Sequence, residues 1–493
     1  KKNTPDALLA SWNQIYNSAN RRLEWPEILL EIEEKEKLKF GSRSFEKPWL
    51  PTREAEMITT FSKKPIAPQR LEAFAEAVKV ALSNIKNLRP VLWKTAFEAL
   101  KNNTAGGLPG LTSKRIWKEN FLKFVETLNT NSFEIACDMY MMNNWDNYSK
   151  VAMPYTRTQE LGKTRTVWGY PADVVFVEQK YYIPLLEMQK KQQWRAALLD
   201  PDSVDRYVTE TINRANSVGK YLVSVDFKGF DTSVSPSLCT VVFNVILSLF
   251  QQTYENQRDL NIISKNFTSM PIITPFRLFK GEHGVPSGST FTNEVDSLVQ
   301  IGVARSSNLV LDDCQVQGDD GLYILNDDSK YDDLIKHFAD YGLTLSKEKS
   351  SFSKEYAIYL QKLYHPYFRQ GNGDIPGVYS TYRALLRLCY PEKEPEFGKI
   401  TKVGVSLADY NKIRAIQILE NCKNHPLHSE LVKFVNDRWS EGGLRVSKYV
   451  VKDFKDAIER GELKNTQRQD NLKGWDKFKT VQVLDYIDRG IDL

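Results

Sequence analysis

Residues 316–324 are the stretch that most constrains the fold, because two runs of strand-forming residues are joined there by a turn with adjacent carboxylates. The turn reads Gly318-Asp319-Asp320-Gly321, and the flanking glycines favour a tight hairpin with both carboxylates at its tip. Paired aspartates also occur nearby at 312–313, 327–328 and 332–333. On this segment alone an acidic surface turn is the simpler interpretation, so the rest of the chain must decide whether the tip is a metal site.

The length and composition indicate several subdomains with a large hydrophobic core. A chain of 493 residues is too long for one compact core, since domains usually have roughly 100–200 residues. Hydrophobic residues make up 41% and aromatic residues 12% of the chain. Lysine and arginine total 67 against 62 acidic residues, so the net charge is only +5. A polyanionic partner would therefore be held in a local basic groove rather than by the whole surface.

Cysteine spacing and hydropathy favour a reducing compartment and predict no membrane partner. The five cysteines are odd in number and far apart, which argues against a disulfide framework. Cys422, His425 and His428 come nearest to a metal motif, but Pro426 lies among them and no second cysteine stands at ligand spacing, so a structural role is the simpler interpretation. No apolar run approaches the ~18 residues that span a bilayer, and no signal-peptide pattern is present. The chain begins at Lys1 without methionine, so we expect a processed or trimmed end.

Helix signals predict a helical N-terminal part with one extended interruption. Thr4 and Pro5 form a good helix start, whereas the prolines between residues 40 and 68 predict an extended strap that ties parts of the fold together. Residues 271–275 are predicted to be irregular and residues 356–364 to form a short strand pair. Further helices are predicted at 26–39, 71–85, 91–100, 113–128, 237–251, 330–341, 381–389, 408–422, 426–439 and 446–463. The helix at 113–128 has an apolar stripe that we assign to the core: Ile116, Trp117, Phe121, Phe124, Val125 and Leu128.

Two segments have compositions suited to phosphate contacts. The glycine-rich run at 102–110 either is a plain loop, the simpler interpretation, or lets main-chain N–H groups approach phosphates. Residues 163–167 alternate as a strand does, which would place Lys163 and Arg165 on one face where they could hold a triphosphate. A solvated strand face explains this second pattern equally well.

A second acidic position follows a buried-strand pattern at residues 221–226. This apolar run ends on Asp226, and a carboxylate at the end of a central strand is costly unless it is solvated, paired or bound to a metal. Asp231 follows five positions later. Carboxylates on adjacent strands, such as Asp226 and Asp319, can hold two divalent cations about 3.5–4 Å apart and so align an attacking hydroxyl with a leaving pyrophosphate.

A glycine and proline loop at residues 284–293 leads into a helix. Thr292 and Asp296 lie one turn apart on the same helix face. A helix N-terminus behind such a loop suits a phosphate or a ribose, although an ordinary capping loop has a similar sequence. Together with the carboxylates and the Lys163/Arg165 strand, it supplies every part that nucleotidyl transfer needs.

The order of these pieces resembles the motifs of viral RNA-dependent RNA polymerases. Motifs F, A, B, C and D correspond to Lys163-x-Arg165, Asp226-x4-Asp231, Ser287-Gly288-x3-Thr292, Gly318-Asp319-Asp320 and Lys349, and they span roughly half of the chain. Residues 104–107 resemble motif G, and residues 359–363 occupy the place of motif E. The sequence around Ser287 is most similar to that of polymerases from the picobirnavirus group of double-stranded RNA viruses. The partitivirus polymerases are the next most similar.

This resemblance implies an α+β right-hand polymerase with an antiparallel-sheet palm, a helical thumb and an N-terminal extension that bridges fingers and thumb. The implied regions are the extension at 1–66, fingers at 67–218 with part of the palm near its end, palm with motif A at 219–236, a fingers insertion at 237–283, palm with motifs B to E at 284–366, and the thumb and C-terminal region at 367–493.

The resemblance also implies roles for individual residues. Asp226 and Asp319 would be the principal ligands of two Mg²⁺ or Mn²⁺ ions, with Asp320 as an accessory ligand. Many relatives have an asparagine at the position that Asp296 occupies in this chain. Here an asparagine, Asn293, lies nearby in the sequence instead. Lys349 is the expected general acid for the pyrophosphate, with Lys347 as its competitor. The nucleotide contacts would be Lys163, Arg165, Asp231, Ser287, Gly288, Thr292 and Asn293, of which Asp231, Ser287 and Thr292 would read the ribose 2′-OH. The template contacts would be Thr104, Ala105, Gly106 and Gly107.

The expected function is template-directed RNA synthesis that replicates and transcribes a double-stranded RNA genome. The expected partners are template and nascent RNA, ribonucleoside triphosphates and a viral capsid protein, in the virion interior and the host cytoplasm. A reverse transcriptase is the main alternative, but it would normally carry a bulky residue where Asp231 stands. A non-catalytic RNA-binding or capsid-associated protein would have no need of the acids and cations together, and a two-metal nuclease would not need the Ser287 loop.

Overall fold

The computed structural model describes residues 3–21, 24–44, 49–144, 150–392, 397–439, 441–463 and 474–491. Its N-terminal part is helical, as predicted, and Thr4 caps the first helix by accepting a 3.2 Å hydrogen bond from the backbone N–H of Ala7. The helices of this part are α1 (Pro5–Asn20), α2 (Glu27–Leu38), α3 (Glu54–Phe61), α4 (Pro68–Ala81), α5 (Trp93–Ala99), α6 (Lys114–Thr127) and α7 (Phe133–Asn144).

The middle of the chain alternates helices with short strands. In order these are β1 (Met153–Thr158), β2 (Thr164–Gly169), α8 (Ala172–Gln189), α9 (Pro201–Val218), β3 (Leu222–Val225), β4 (Phe227–Lys228), α10 (Phe230–Ser233), α11 (Pro236–Leu249), α12 (Tyr254–Ser269), β5 (Ile272–Ile273), β6 (Leu278–Phe279), α13 (Thr292–Ser306), β7 (Val310–Gln317), β8 (Asp320–Leu325), α14 (Tyr331–Asp340), β9 (Thr344–Leu345), β10 (Ser351–Ser353), β11 (Ala357–Tyr359) and β12 (Lys362–Tyr364).

The C-terminal part is again helical. It consists of α15 (Thr381–Cys389), α16 (Phe397–Lys402), α17 (Leu407–Glu420), α18 (His428–Arg438), α19 (Lys448–Glu459) and α20 (Lys479–Asp488). Short 3₁₀ turns occur at Pro51–Arg53, Glu160–Gly162, Gln193–Leu198, Asp328–Lys330, Pro366–Phe368 and Trp475–Lys477. Among the described helices, none combines the length and apolarity needed to cross a bilayer.

A four-stranded antiparallel sheet, in the order β10-β3-β8-β7, forms the centre of the fold. All four residues of β3 are buried, which explains its largely apolar sequence, and the hydroxyl of the one polar member, Ser224, accepts a 2.9 Å bond from the N–H of Ile358. The strands β7 and β8 form a hairpin with a two-residue loop, since Gln317 pairs with Asp320. Gly318 occupies the first loop position with φ of +62°, a backbone region that favours glycine. Because Val225 pairs with Gly321, the end of β3 lies beside this turn.

Smaller pairings surround the central sheet. The strands β1 and β2 form an antiparallel hairpin in which Arg157 is opposite Arg165. The pair β11–β12 confirms the predicted short strand pair, and β4–β9 and β5–β6 are two-residue contacts. Helix α4 packs closely on α13, where a Cβ on Gly302 would lie 2.5 Å from the ring of Phe74.

The N-terminal extension packs on the C-terminal helices in a core of its own. Trp12 lies 5.4 Å from Phe434 between ring centroids, and its indole N–H donates a 3.1 Å hydrogen bond to Thr381. Farther along, the guanidinium of Arg43 donates a 2.7 Å bond to the carbonyl oxygen of Thr158 in β1. The extension therefore contacts both the β1–β2 hairpin and the C-terminal helices.

Three local predictions were wrong. The strap at 40–68 contains a helix, α3, because its eight residues lie between Pro51 and Pro65 without an internal proline; residues 45–48 lie outside the described part. The segment at 271–275 contains β5, which pairs with β6. The apolar stripe of α6 was predicted to lie in the core, but only Phe121 of the stripe is fully buried. The side chains of Ile116 and Phe124 are 36% and 39% exposed.

Candidate active site

The turn between β7 and β8 is held against helix α13 by hydrogen bonds to its backbone. The N–H of Gly318 donates a 2.8 Å bond to Ser297 Oγ, and Gln300 Nε2 donates to the carbonyl oxygens of Gly318 and Asp320 at 2.7 and 3.3 Å. A Cβ on Gly321 would lie 1.8 Å from Gln300 Oε1, so only glycine fits there. These contacts hold the backbone of the turn that carries Asp319 and Asp320.

Asp226 follows β3 directly and lies beside this turn. Its backbone N–H donates a 3.0 Å bond to Ser350 Oγ, and its carbonyl oxygen accepts a 2.8 Å bond from the N–H of Ser346. The carboxylate remains exposed although the strand before it is buried. The segment 346–350 therefore anchors the main chain at the point where the acid leaves the sheet.

The carboxylates of Asp226, Asp319 and Asp320 repel one another. Desolvation, with the charges of Asp319 and Asp226, raises the pKa of Asp320 to about 7. Desolvation by the surrounding walls and the nearby charge of Asp231 also raise the pKa of Asp319, although Arg165 acts in the opposite direction. The charge of Arg165 thus reaches Asp319 from β2.

This group of acids fits hard divalent cations chemically. Carboxylate oxygens are the ligands that Mg²⁺ and Mn²⁺ prefer, and a bound cation would offset both the desolvation and the mutual repulsion that raise the pKa values of Asp319 and Asp320. Within the part of the chain that the structure describes, no three His, Cys, Asp or Glu side chains converge as a complete ligand set. At phosphate-transfer sites Mg²⁺ is usually held by one or two carboxylates together with oxygens of the substrate phosphates.

Asp231 and Asp296 form a pair of hydrogen-bonded carboxyl groups. Asp231 lies in α10, and Asp296 is buried in α13 with 5% exposure. Burial, the charge of Asp231 and the hydrogen bond between them raise the pKa of Asp296 well above its usual range. The raised pKa favours the protonated form of Asp296, which can donate to Asp231 as the amide of an asparagine would, and its Oδ1 has no hydrogen-bond partner within the described residues.

The loop before α13 packs against β2. Ser287 Oγ accepts a 2.9 Å bond from the N–H of Trp168, and a Cβ on Gly288 would lie 1.9 Å from the Trp168 carbonyl oxygen. The hydroxyl of Thr292 donates a 2.7 Å bond to the carbonyl oxygen of Pro286. Both hydroxyls predicted to read the ribose thus bond within the protein, whereas Asn293 is exposed and its Oδ1 accepts a 3.3 Å bond from Arg195.

The predicted triphosphate contacts lie on the β1–β2 hairpin. Lys163 immediately precedes β2 and Arg165 is its second residue, and both side chains are exposed. The extension supports this hairpin, because Ser44 Oγ donates a 2.6 Å bond to the Lys163 carbonyl oxygen. Lys163 and Arg165 therefore face solvent, and the extension binds the main chain beside them.

The glycine-rich loop is packed more tightly than a phosphate-binding loop would be. Gly106 donates a 2.7 Å bond to the Thr112 carbonyl oxygen, and a Cβ on Gly107, whose φ is +67°, would lie 2.5 Å from the Tyr170 carbonyl oxygen. Thr104 and Ala105 remain accessible on the outer side of this loop. Thr104 and Ala105, rather than the two glycines, are therefore the accessible residues of this loop.

The two candidate general acids have different surroundings. Lys347 Nζ lies 2.8 Å from an oxygen of Asp332 and forms an ion pair with it. Lys349 is exposed and precedes Ser350, whose hydroxyl binds the Asp226 backbone. This arrangement favours Lys349 over Lys347 for protonating a group near Asp226.

Sequence reasoning missed Ser297, Gln300 and Arg195. Asn293, Ser297 and Gln300 form a polar stripe at spacings of four and three residues along α13, which is a signal that could have revealed the first two. Arg195 has no comparable local signal, because its partners lie 98 to 122 positions away in the chain.

Comparison with known proteins agrees with this geometry. A family profile described as viral RNA-dependent RNA polymerase matches residues 51–369. The chain is 26% identical over 436 residues to the "Potential RNA-dependent RNA polymerase" of a human picobirnavirus, covering 83% of this chain and 76% of that protein. It is 23% identical over 290 residues to the "RNA-directed RNA polymerase" of Cryptosporidium parvum virus 1, covering 53% of this chain and 51% of that protein.

The fold matches solved structures of the same class. The crystal structure of a human picobirnavirus RNA-dependent RNA polymerase superimposes with a TM-score of 0.79 at 22% identity, covering 99% of this chain and 92% of that one. An insertion loop deletion mutant of a human picobirnavirus polymerase gives 0.78 at 23% identity, with the same coverage of both chains. These matches confirm the right-hand polymerase fold and do not favour the alternative functions. Since the profile spans most of the chain and includes the hairpin that carries Asp319, the chain belongs to the viral RNA-dependent RNA polymerases and is an RNA-directed RNA polymerase.

Proposed function

We propose that this polymerase adds ribonucleotides by two-metal nucleotidyl transfer, with Asp226 and Asp319 as the principal metal ligands and Asp320 as an accessory one. The observation that carries the proposal is the pairing of Val225 with Gly321, which places the two acidic positions side by side. The raised pKa values of Asp319 and Asp320 support it, because desolvation and the charges of neighbouring aspartates both act on these two carboxylates.

Two bound Mg²⁺ or Mn²⁺ ions would activate the primer 3′-hydroxyl and stabilise charge on the leaving pyrophosphate. The chain itself would supply positioning. Lys163 and Arg165 would hold the triphosphate from the β1–β2 hairpin, since exposed cations there face incoming anions. Lys349 would give a proton to the pyrophosphate as it leaves.

Ribose recognition would centre on Asp231. Asp231 forms a hydrogen bond with the buried Asp296, and its carboxylate would accept a hydrogen bond from a ribose 2′-OH. Ser287, Thr292 and Asn293 line the adjoining loop and helix start, and Gly288 lets that loop approach β2. Ser287 and Thr292 would exchange their present protein partners for the ribose when a nucleotide binds.

The template would pass over Thr104 and Ala105, whose loop adjoins the β2 end through Gly107 and Tyr170. By similarity to the picobirnavirus protein, we infer a viral double-stranded RNA genome as template and product, a capsid protein as partner, and action in the virion interior and host cytoplasm. Co-sedimentation of the polymerase with capsid particles, compared with an unrelated RNA-binding protein, tests the partner; equal recovery of both proteins would reject it.

The metal assignment is tested by extension of an RNA template with four ribonucleotides and Mg²⁺ or Mn²⁺. Asp319→Ala should lower the rate about a thousandfold or more, because the metals contribute several kcal/mol to the barrier. Asp312→Ala, on an exposed residue of β7, is the matched control and should retain activity. Mn²⁺ binding followed by electron paramagnetic resonance gives a second readout, and unchanged synthesis in Asp319→Ala would disprove the assignment.

The ribose assignment has a separate test. Asp231→Ala should reduce the preference for ribonucleotides over deoxynucleotides by about tenfold or more, since a charge-assisted hydrogen bond contributes about 1.5–3 kcal/mol. The ratio of kcat/KM for the two substrates measures this preference. Equal use of both substrates by the parent enzyme would remove the role proposed for Asp231.

A further inference from the structure

An ion pair is buried behind the start of helix α13. Arg195, in the 3₁₀ turn Gln193–Leu198, and Glu294, in the first turn of α13, are each 1% exposed, and Arg195 Nη1 donates a 2.7 Å bond to Glu294 Oε2. Such pairs lose much hydration, so their contribution to stability is small. The position of this pair therefore points to a role in geometry.

The second terminal nitrogen of the guanidinium, Nη2, binds residues of both α13 and β7. Arg195 Nη2 donates to Asn293 Oδ1 at 3.3 Å and to Gln317 Oε1 at 3.4 Å. Asn293 lies beside the ribose-contacting residues, and Gln317 is the strand residue before the turn that carries Asp319. A planar guanidinium holds several acceptors in fixed relative directions, which an ammonium group does not.

Additional bonds hold the turn that carries Arg195. The N–H of Ala196 donates to Gln315 Oε1 at 3.3 Å, and Gln315 Nε2 donates to the Gln193 carbonyl oxygen at 2.7 Å. Gln189, at the end of α8, donates to the other carboxylate oxygen of Glu294. The turn is thus fixed to β7 through the backbone of Gln193 and Ala196, and Arg195 is fixed to α13 through its side chain.

We propose that Arg195 is a positioning residue that holds Asn293 in register with the Asp319 turn. It would set the bound nucleotide relative to the metal carboxylates without contacting substrate itself. This inference rests on the proposed roles of Asn293 and Asp319. It adds that one buried guanidinium determines the distance between them.

The main test variant is the double substitution Arg195→Met with Glu294→Gln, because removing both charges avoids an uncompensated buried carboxylate. Glu294→Gln alone is the matched control, since it leaves the Arg195 bonds to Asn293 and Gln317 in place. We expect the double variant to lower kcat/KM for ribonucleotides about tenfold relative to this control, with a smaller preference over deoxynucleotides. Equal kcat/KM and equal preference in the two variants would overturn the proposal.

A double-mutant cycle with Asn293→Ala separates positioning from general destabilisation. If Arg195 acts through Asn293, its removal in the Asn293→Ala background should cost less than in the parent. Purely additive effects would overturn the proposal. Arg414→Met removes a buried arginine of α17 that bonds carbonyl oxygens of 387 and 388, and it should lower the melting temperature without changing the substrate preference.

Arg195→Lys provides a third measurement that does not depend on loss of the charge. It keeps the pairing charge with Glu294 but has no planar fork, so we expect the melting temperature to be largely retained and the ribonucleotide preference to fall. Full preference in Arg195→Lys would overturn the proposal. The Arg195 variants are compared with the active parent enzyme, whereas the metal assignment is tested by Asp319→Ala. The two proposals can therefore fail separately.

Discussion

Gln300 Nε2 donates a 2.7 Å hydrogen bond to the carbonyl oxygen of Gly318 inside the turn that presents Asp319. The Gln300 side chain is fully buried, and its Oε1 accepts a 2.8 Å bond from the hydroxyl of Tyr323. One amide therefore satisfies an acceptor of the turn and a donor of β8 at the same time. Few side chains combine a hydrogen-bond donor and an acceptor in one planar group.

We expect Gln300→Leu to displace the turn and reduce synthesis about tenfold or more, because it leaves the Gly318 carbonyl oxygen without its partner. The free energy of unfolding should fall by about 1–3 kcal/mol, measured by urea denaturation. Tyr323→Phe removes only the bond at the other end of the amide and is the control, with a smaller loss of activity. Full activity in Gln300→Leu would show that the turn holds its position without this bond.

Asp296→Asn should preserve ribonucleotide preference, because asparagine supplies the donor that the protonated carboxyl supplies to Asp231. Asp296→Ala should lose part of that preference. Since the folded-state pKa of Asp296 is raised, its folded form binds the proton more tightly than the unfolded chain does. The parent therefore loses stability relative to Asp296→Asn as pH rises from the ordinary carboxyl pKa of about 3.9 towards the raised value.

The comparison requires urea unfolding of both proteins at pH 5 and pH 8.5, together with the ratio of ribonucleotide to deoxynucleotide use. The stability difference should favour the asparagine variant more at the higher pH. A constant difference across this range would mean that Asp296 is ionised at pH 5 already. Loss of preference in Asp296→Asn equal to that in Asp296→Ala would contradict the donor role.

Lys349→Met should reduce the rate of nucleotide addition by about a hundredfold, the usual contribution of a positioned general acid. Lys347→Met is the matched control, because Lys347 is paired with Asp332 and should contribute little. Single-nucleotide addition followed by rapid quench, across a range of pH, measures the effect. An equal loss in both variants would assign the proton transfer to neither lysine.

Glu33 should make the attachment of the N-terminal extension sensitive to pH. It is fully buried, accepts a 3.0 Å bond from the backbone N–H of Thr381 at the start of α15, and burial raises its pKa to about 7. His425 Nε2 lies 4.0 Å from it, but burial lowers the pKa of His425 to about 3, so this imidazole is neutral and gives no opposing charge.

Because the folded-state pKa of Glu33 is raised, its contribution to stability is greatest below about pH 4 and is lost as pH rises through about 7. Glu33→Gln should therefore gain up to about 3 kcal/mol of stability relative to the parent between these limits. Glu34→Gln, on a largely exposed neighbour, is the control and should follow the parent at every pH. Urea denaturation at pH 5, 6, 7 and 8 measures the difference, and parallel curves for all three proteins would contradict the burial of a titrating Glu33.

Short-range patterns in the sequence determined the elements that carry the site. Gly318 and Gly321 around two aspartates predicted the β7–β8 hairpin, and the apolar run ending at Asp226 predicted a buried strand beside it. These predictions hold because turn chemistry and strand burial depend on neighbouring residues. The same reasoning failed at α3, where the spacing of the prolines, rather than their number, decides whether a helix forms.

Only the tertiary structure decided how these elements are held together. Arg195 meets Asn293 and Gln317 across 98 and 122 positions, and Ser287 meets Trp168 across 119. Such bonds depend on how helices and sheet pack, so no local pattern predicts them. A short turn with a buried arginine can have the same sequence as a turn whose arginine is exposed. The difference lies in the desolvation of the side chain and in the acceptors that other parts of the fold place around it.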